Sequence, residues 1–251
     1  MRLEITFKTH DCSIPINYQY QLCSFVYKRL MREDRGFADF LHDKGFNGFK
    51  MFTFSQLFFD KSAARNDSLM IWDAKGRWYI SSCNDNFLMN FFSSLIQNPQ
   101  IEIEGVQFPI EQVNVLPEKQ ITDDTRFIML SPLVVSVPID RNGKLYHEFL
   151  FPDDERFEEA LNNNLVKKHE TLFGKKTSSR IKIEPDWQYI NRKKRITKLI
   201  KIKNIFVKGS IFPFQVKGDP ELIKLGYDVG FGEKNSLGFG MVEIAKQEVE
   251  V

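Results

Sequence analysis

Four histidines occur in the chain, and one of them stands where acid–base chemistry is possible. His10, His147 and His169 have no partner at metal-ligand spacing. His42 ends a helical turn and leads into the glycine-rich stretch 45–48, with Lys50 just beyond. Tyr27 lies upstream on a helical segment. If the stretch after His42 folds back, an imidazole, a phenol and an ammonium converge. Such a set suits metal-free scission of a ribose phosphodiester. A base takes the 2′-OH proton, a cation holds the charged phosphorane, and an acid protonates the leaving 5′-oxygen. The products are a 2′,3′-cyclic phosphate and a 5′-hydroxyl. Singly, Tyr27 reads as a core tyrosine and Lys50 as a surface lysine; only the set is informative. Asp39, Asp43 and Asp60 form no spaced metal cluster, so no metal or other cofactor is expected.

A second constellation lies near the C-terminus. Gly230-Phe231-Gly232 and Gly238-Phe239-Gly240 flank Lys234, Asn235 and Ser236. Glycine reaches positive φ and lets another chain approach closely. The pair is expected to present bare N–H groups beside a cation, a setting for phosphate, with the phenylalanines anchored in a core. It is not a P-loop, because no Gly-Lys-Ser/Thr follows, and its spacing is wrong for a dinucleotide fingerprint. The plainer alternative is a hairpin that needs glycine to turn.

Charge is concentrated. Residues 160–217 hold fifteen Lys or Arg against three acids, an excess of +12 in a chain whose net charge is +2. Such a split implies a polyanionic partner, nucleic acid first, with a solvated charged face as the alternative. Lys193, Arg195, Lys201 and Lys203 are expected on one face of a long strand, with Ile196, Ile200, Ile202 and Phe206 on the other. Arg192, Lys193, Lys194 and Arg195 are expected in a hairpin loop beside Trp187 and Tyr189, where cations grip phosphates and a ring stacks a base. The stretch 44–52 superficially resembles an RNP1 motif, but Asn47-Gly48 breaks the register.

The elements that must position these groups follow from periodicity. Residues 2–8 alternate as a strand. Leu22, Phe25, Val26, Leu30 and Met31 mark a helix over 18–31, and a short helix follows over 36–42. Residues 50–58 read as a strand and 69–83 as a hairpin turning at 73–76. Asp85 caps a helix that Pro99 stops. A further hairpin covers 101–116, turning at Glu104-Gly105. The order strand, helix, strand, strand, helix, strand is the ferredoxin-like plan of RNA-recognition domains. Residues 117–124 read as a linker. The second half repeats the plan loosely: a strand over 127–139, a helix from Asp153 or Asp154 to about 173, strands at 181–184 and 194–216, a short helix over 220–224, and a last strand over 241–244. The fold class expected is α+β, two tandem ferredoxin-like domains with antiparallel sheets, over residues 1–117 and 125–251.

The 251 residues are 42% hydrophobic with 24 phenylalanines, enough for a substantial core. No apolar run is long enough to cross a bilayer and no secretory signal is visible. Cys12, Cys23 and Cys83 are odd in number and widely spaced. A reducing cytoplasm fits them best.

These residues together resemble the CRISPR-associated endoribonucleases that process precursor CRISPR RNA, the Cas-six type. The likeness spans nearly the full length. It rests chiefly on the paired Gly-Phe-Gly units within Leu225-Gly226-Tyr227-Asp228-Val229 and Met241-Val242. Val26-Tyr27, Leu41-His42, Lys50-Met51-Phe52-Thr53-Phe54-Ser55 and Leu130-Ser131-Pro132 also fit. The resemblance implies metal-independent cleavage within CRISPR repeat RNA. Tyr27, His42 and Lys50 then fall where that family often carries a catalytic triad, with Lys44 an alternative to Lys50. The glycine loop then handles RNA, with Lys234, Asn235 and Ser236 near the phosphates. The partner is repeat RNA, with other subunits of a CRISPR effector complex as further candidates; monomer and homodimer are both open. The alternative is a non-catalytic RNA-binding subunit of such a complex on the same scaffold.

Overall fold

A computed structural model describes residues 1–245. The last six residues of the expected second domain, 246–251, lie outside the described ones. The first half runs β1 (Arg2–Lys8), β2 (Cys12–Pro15), α1 (Gln19–Glu33), α2 (Arg35–Asp43), β3 (Phe52–Phe54), β4 (Phe58–Phe59), β5 (Ser62–Arg65), β6 (Ser68–Ile71), β7 (Lys75–Ser82), α3 (Asp85–Gln97), β8 (Gln100–Ile103) and β9 (Val106–Leu116). The second runs β10 (Asp124–Met129), β11 (Val135–Arg141), β12 (Lys144–Leu150), α4 (Phe157–Phe173), β13 (Ile181–Pro185), α5 (Trp187–Lys193), β14 (Thr197–Ile202), β15 (Ile205–Ser210), β16 (Phe214–Gly218), α6 (Pro220–Val229) and β17 (Val242–Ile244), with a 3₁₀ turn at Asn235–Leu237.

Two antiparallel sheets carry the fold. Their strand orders are β3-β7-β1-β9-β8 and β13-β16-β10-β17. Numbered within each half, both place the second, third, first and fourth strands in that sequence, the ferredoxin-like order. The fold is therefore α+β with two such units in tandem. Alternation explains the sheets: Leu3, Ile5 and Phe7 of β1 are buried against the helices. Helix α1 buries Leu22, Phe25, Val26 and Leu30 of the apolar stripe read from its spacing, but Met31, expected with them, is 44% exposed.

Two large cores form, one around Phe52, Trp78, Phe87 and Phe91, the other around Phe127, Phe212, Phe214 and Phe231, and a smaller third gathers Val134, Ile200, Ile202, Val207 and Phe239. Arg2 joins the halves. Its guanidinium donates to the carbonyls of Tyr227 and Val242, each at 2.8 Å, and to Glu243 at 2.9 Å, and lies 3.8 Å over the Tyr227 ring.

Several expectations need correction. The strand over 50–58 is broken, because Gln56 N–H turns to Leu130 O and Leu57 N–H takes the Tyr18 hydroxyl. The hairpin over 69–83 does not form: β6 pairs with β2 and β5, while β7 pairs with β1. Thr9 and Asp11 bind the backbone at 72–74 and turn the chain out of the main sheet. Asn84, not Asp85, caps α3. The strand over 127–139 divides at Pro132 into β10 and β11, which lie in different sheets. Helix α4 starts at Phe157, since Asp154 pairs with Arg156 instead. Helix α6 runs past 224 to Val229. The stretch 194–216 is a hairpin turning at Lys203 and Asn204, followed by β16.

Candidate active site

Asp34 ends α1 and its carboxylate caps α2 by accepting from Phe37 N–H at 2.9 Å. That joint lays α2 across α1, so the last turn of α2 brings His42 to Tyr27. The two rings meet edge to face, 5.5 Å between centroids and 88° between planes. Beyond α2 the chain reverses in a tight turn. Phe46 and Phe49 exchange backbone hydrogen bonds at 2.8 and 2.9 Å around Asn47 (φ 47°) and Gly48 (φ 86°). Two positive φ angles at the centre are the mark of a type I′ turn, for which Asn-Gly is the favoured pair. The turn returns Lys50 to the end of α2, where its Nζ donates to His42 O at 2.8 Å.

The structure thus brings Tyr27, His42 and Lys50 together. Lys44 is exposed at the C-cap of α2; it is Lys50 whose ammonium reaches His42. His42 is exposed, and its Nδ1 lies 2.9 Å from Asp43 Oδ1. A carboxylate only accepts, so this contact puts the proton on Nδ1 and leaves Nε2 free to accept one. Tyr27 is half-buried, against Phe52 as well as His42. Burial, helped by Cys23, pushes its phenol well above the ordinary tyrosine range, so it keeps its proton. Burial lowers the Lys50 ammonium, while Asp43 pulls it the other way. The arrangement offers an acceptor on the exposed imidazole, a half-buried phenol packed against it, and a cation held at the His42 main-chain carbonyl. Among the described residues, no group of three His, Cys, Asp or Glu side chains is placed to hold a metal ion, and no helix is long and apolar enough to cross a membrane.

A cleft of about 280 Å³ opens beside Lys50 and runs to the glycine loop. Gly48, Lys50, Asn164, Lys168, Lys234 and Ser236 are among its lining residues. Phe231 and Phe239 are fully buried, the anchoring expected of them. Three of the four glycines do not present bare N–H groups, however. Gly230, Gly238 and Gly240 donate to Gly226 O, Asn235 O and Pro132 O. Glycine is required here for close approach at positive φ. A Cβ on Gly232 would run into Val134 O, one on Gly238 into the Phe54 ring, and one on Gly240 into Phe231 O. Asn235 is likewise committed, its amide donating to Phe231 O and Phe239 O at 3.0 Å each. Lys234 and Ser236 are half-buried at the lip of the cleft.

Arg192 and Lys193 form the last turn of α5, a helix that the expected hairpin loop overlooked, and Lys194 and Arg195 follow it. All four are exposed. Lys201 is exposed on β14, but Lys203 sits in the turn, its ammonium 4.5 Å over the Tyr20 ring. The turn reverses the alternation, so Phe206 pairs with Lys201 and is 58% exposed instead of facing the core.

Lys168 is a residue that the sequence reading missed. It lies on α4 in register with Leu161, Leu165 and Leu172, a spacing that marks the buried stripe and is its one signal in the sequence. Only 2% exposed, it donates to Gly230 O at 2.8 Å, Gly232 O at 2.7 Å and Asn235 Oδ1 at 2.7 Å. Burial lowers its pKa to about 7, with Glu233 opposing.

Comparison with known proteins gives the family of the chain. A family model for the C-terminal region of CRISPR-associated protein Cas6 matches residues 116–244, and one for the Cas6 N-terminal region matches 13–114. The chain belongs to the Cas6 family. It is 35% identical over 244 residues to the CRISPR-associated endoribonuclease Cas6 1 of Methanocaldococcus jannaschii, covering 96% of this chain and 92% of that one. To the CRISPR-associated endoribonuclease Cas6 of Pyrococcus furiosus it is 30% identical, covering 97% and 88%. The solved structure of a Cas6-related gene product from Pyrococcus furiosus superposes with a TM-score of 0.86 at 27% identity, over 99% of each chain. In this chain the Gly-Phe-Gly pair packs between the two ferredoxin-like units, against Thr53 and Phe54 on one side and Val134 on the other, and Lys50 lines the cleft beside it.

Proposed function

We propose that this protein is an endoribonuclease that cuts precursor CRISPR RNA within its repeats, in the cytoplasm, without a metal. The observation that carries the reading is the meeting of Tyr27, His42 and Lys50. His42 Nε2 takes the proton of the ribose 2′-OH. The freed oxygen attacks the adjacent phosphorus, and a P–O bond forms as the bond to the 5′-oxygen breaks. Tyr27 gives its proton to that departing oxygen, and Lys50 faces the charge that builds on the non-bridging oxygens. The reverse assignment would need a phenol that burial keeps protonated to act as the base. The products are a 2′,3′-cyclic phosphate and a 5′-hydroxyl. The relatives named as endoribonucleases support the reaction class.

Exposed Arg192, Lys193, Lys194, Arg195 and Lys201, together with Lys203 and Lys234, track the RNA backbone in this reading. Gly230, Gly232, Asn235, Gly238 and Gly240 shape the loop that presents Lys234 and Ser236. The division at residues 117–125 separates the unit carrying the acid–base cluster from the unit carrying the basic elements. The test is incubation of the pure protein with repeat RNA in EDTA, with and without a 2′-deoxy sugar at the cut. Cutting that survives EDTA and is abolished by the 2′-deoxy sugar supports the reading. Cutting of the deoxy RNA, or dependence on added metal, refutes it; tight binding with no cutting assigns the protein to the non-catalytic role.

A further inference from the structure

Lys168 spends all three of its N–H donors on the glycine loop. A buried ammonium is costly unless fully paired, and the leucines in register with it show that an apolar side chain would serve the core. The loop it holds leads directly to the acid–base cluster. Asn235, gripped by Lys168 through Oδ1, donates to the carbonyls of Phe231 and Phe239. Phe239 O also accepts from Thr53 Oγ1 at 3.0 Å. The Gly238 backbone packs against Phe54 so closely that a Cβ there would overlap its ring. Thr53 and Phe54 belong to β3, and Lys50 lies just before it across Met51, whose carbonyl is held by Ser82 Oγ at 2.6 Å. Lys50 and Lys168 line the same cleft.

We propose that Lys168 is a positioning residue: through the glycine loop and β3 it sets where Lys50 stands against His42. The inference rests on the proposed activity and adds to it a residue that touches no substrate. Every step of the path is a packed or hydrogen-bonded contact, as coupling across a structure requires.

The experiment is single-turnover cleavage of repeat RNA at saturating protein, run beside the Kd for the same RNA carrying a 2′-deoxy sugar at the cut. Lys168→Met lowers the saturated rate about 10- to 100-fold, as sub-ångström misplacement of a reacting group does, while Kd stays within about threefold. A role confined to folding leaves the saturated rate of the folded variant unchanged. A Lys168→Met protein that cuts at the wild-type rate when saturated, or loses affinity alone, overturns the inference. Should that variant not fold, Thr53→Val reads the same path from its other end: a lower saturated rate at constant Kd supports the inference, an unchanged one overturns it. A wild type that does not cut repeat RNA refutes the activity and this inference together; a cutting wild type with an equally fast Lys168→Met refutes the inference alone.

Discussion

Gly45 offers a sharp test of how Lys50 is placed. It joins α2 to the tight turn at φ 57°. A Cβ there would overlap Phe49 O and lie 3.0 Å from Lys50 Cδ and 3.3 Å from Lys50 Nζ. The left-handed conformation alone costs an L-residue about 1–2 kcal/mol. Overpacking adds about 1–3 kcal/mol where the neighbour cannot yield. Phe49 O cannot yield cheaply, because it accepts from Phe46 N–H and closes the turn. The turn must open, and Lys50 swings away from His42. Because the loop is near the surface, part of the strain relaxes, so Gly45→Ala should cost roughly 2–4 kcal/mol in total. Its saturated cleavage rate should fall about 10- to 100-fold. Gly48→Ala is the control. It too has positive φ, but nothing lies within 4 Å of its Cβ. It carries the conformational cost only, about 1–2 kcal/mol, with little change in rate. The assay is single-turnover cleavage of end-labelled repeat RNA, with melting temperatures to separate stability from rate. Equal rates for Gly45→Ala and the wild type, or an equal loss from both glycine variants, would refute the reasoning.

Three other outcomes follow from the structure. Arg2→Met leaves buried carbonyls of Tyr227 and Val242 without a donor and should destabilise by about 3–5 kcal/mol, read as a lower urea midpoint. In the proposed reaction Lys50 serves as a cation, and burial lowers its pKa, so the rate should fall with rising pH earlier than for an ordinary lysine. Lys50→Arg should move that alkaline limb upward in a pH–rate profile; an unmoved limb rejects the assignment. Neutralising Arg192, Lys193, Lys194 and Arg195 should weaken RNA binding across sequences and flatten its salt dependence, by about 0.7 in log–log slope for each phosphate that is no longer neutralised. An unchanged slope means that they do not touch phosphate.

Much of this is legible in local pattern. The apolar spacing of α1, the hairpin turning at Glu104-Gly105 and the buried phenylalanines of the Gly-Phe-Gly units follow from period and side-chain type, which act over short range. The convergence of Tyr27, His42 and Lys50 is legible only as an expectation that rests on the glycine-rich stretch 45–48 folding back. What escapes depends on distant partners. β6 pairs with β2 because Thr9 and Asp11 turn the backbone at 72–74, which no local window reveals. The Gly240 N–H looks free in sequence because its acceptor, Pro132 O, lies far off in the chain. Phe206 falls on the core face only if the strand is continuous, whereas Lys203 takes a positive φ and reverses the face. Lys168 reads in isolation as one more cation of the basic stretch, although its place on a leucine stripe puts it inside.

The most direct measurement of the central claim is the single-turnover rate of His42→Ala on repeat RNA, with Kd measured in parallel. The account predicts a loss of about 10²–10⁴ in rate, the usual span for a general acid–base group, with binding nearly intact. A His42→Ala protein that cuts at the wild-type rate would remove the imidazole from the reaction and contradict the account.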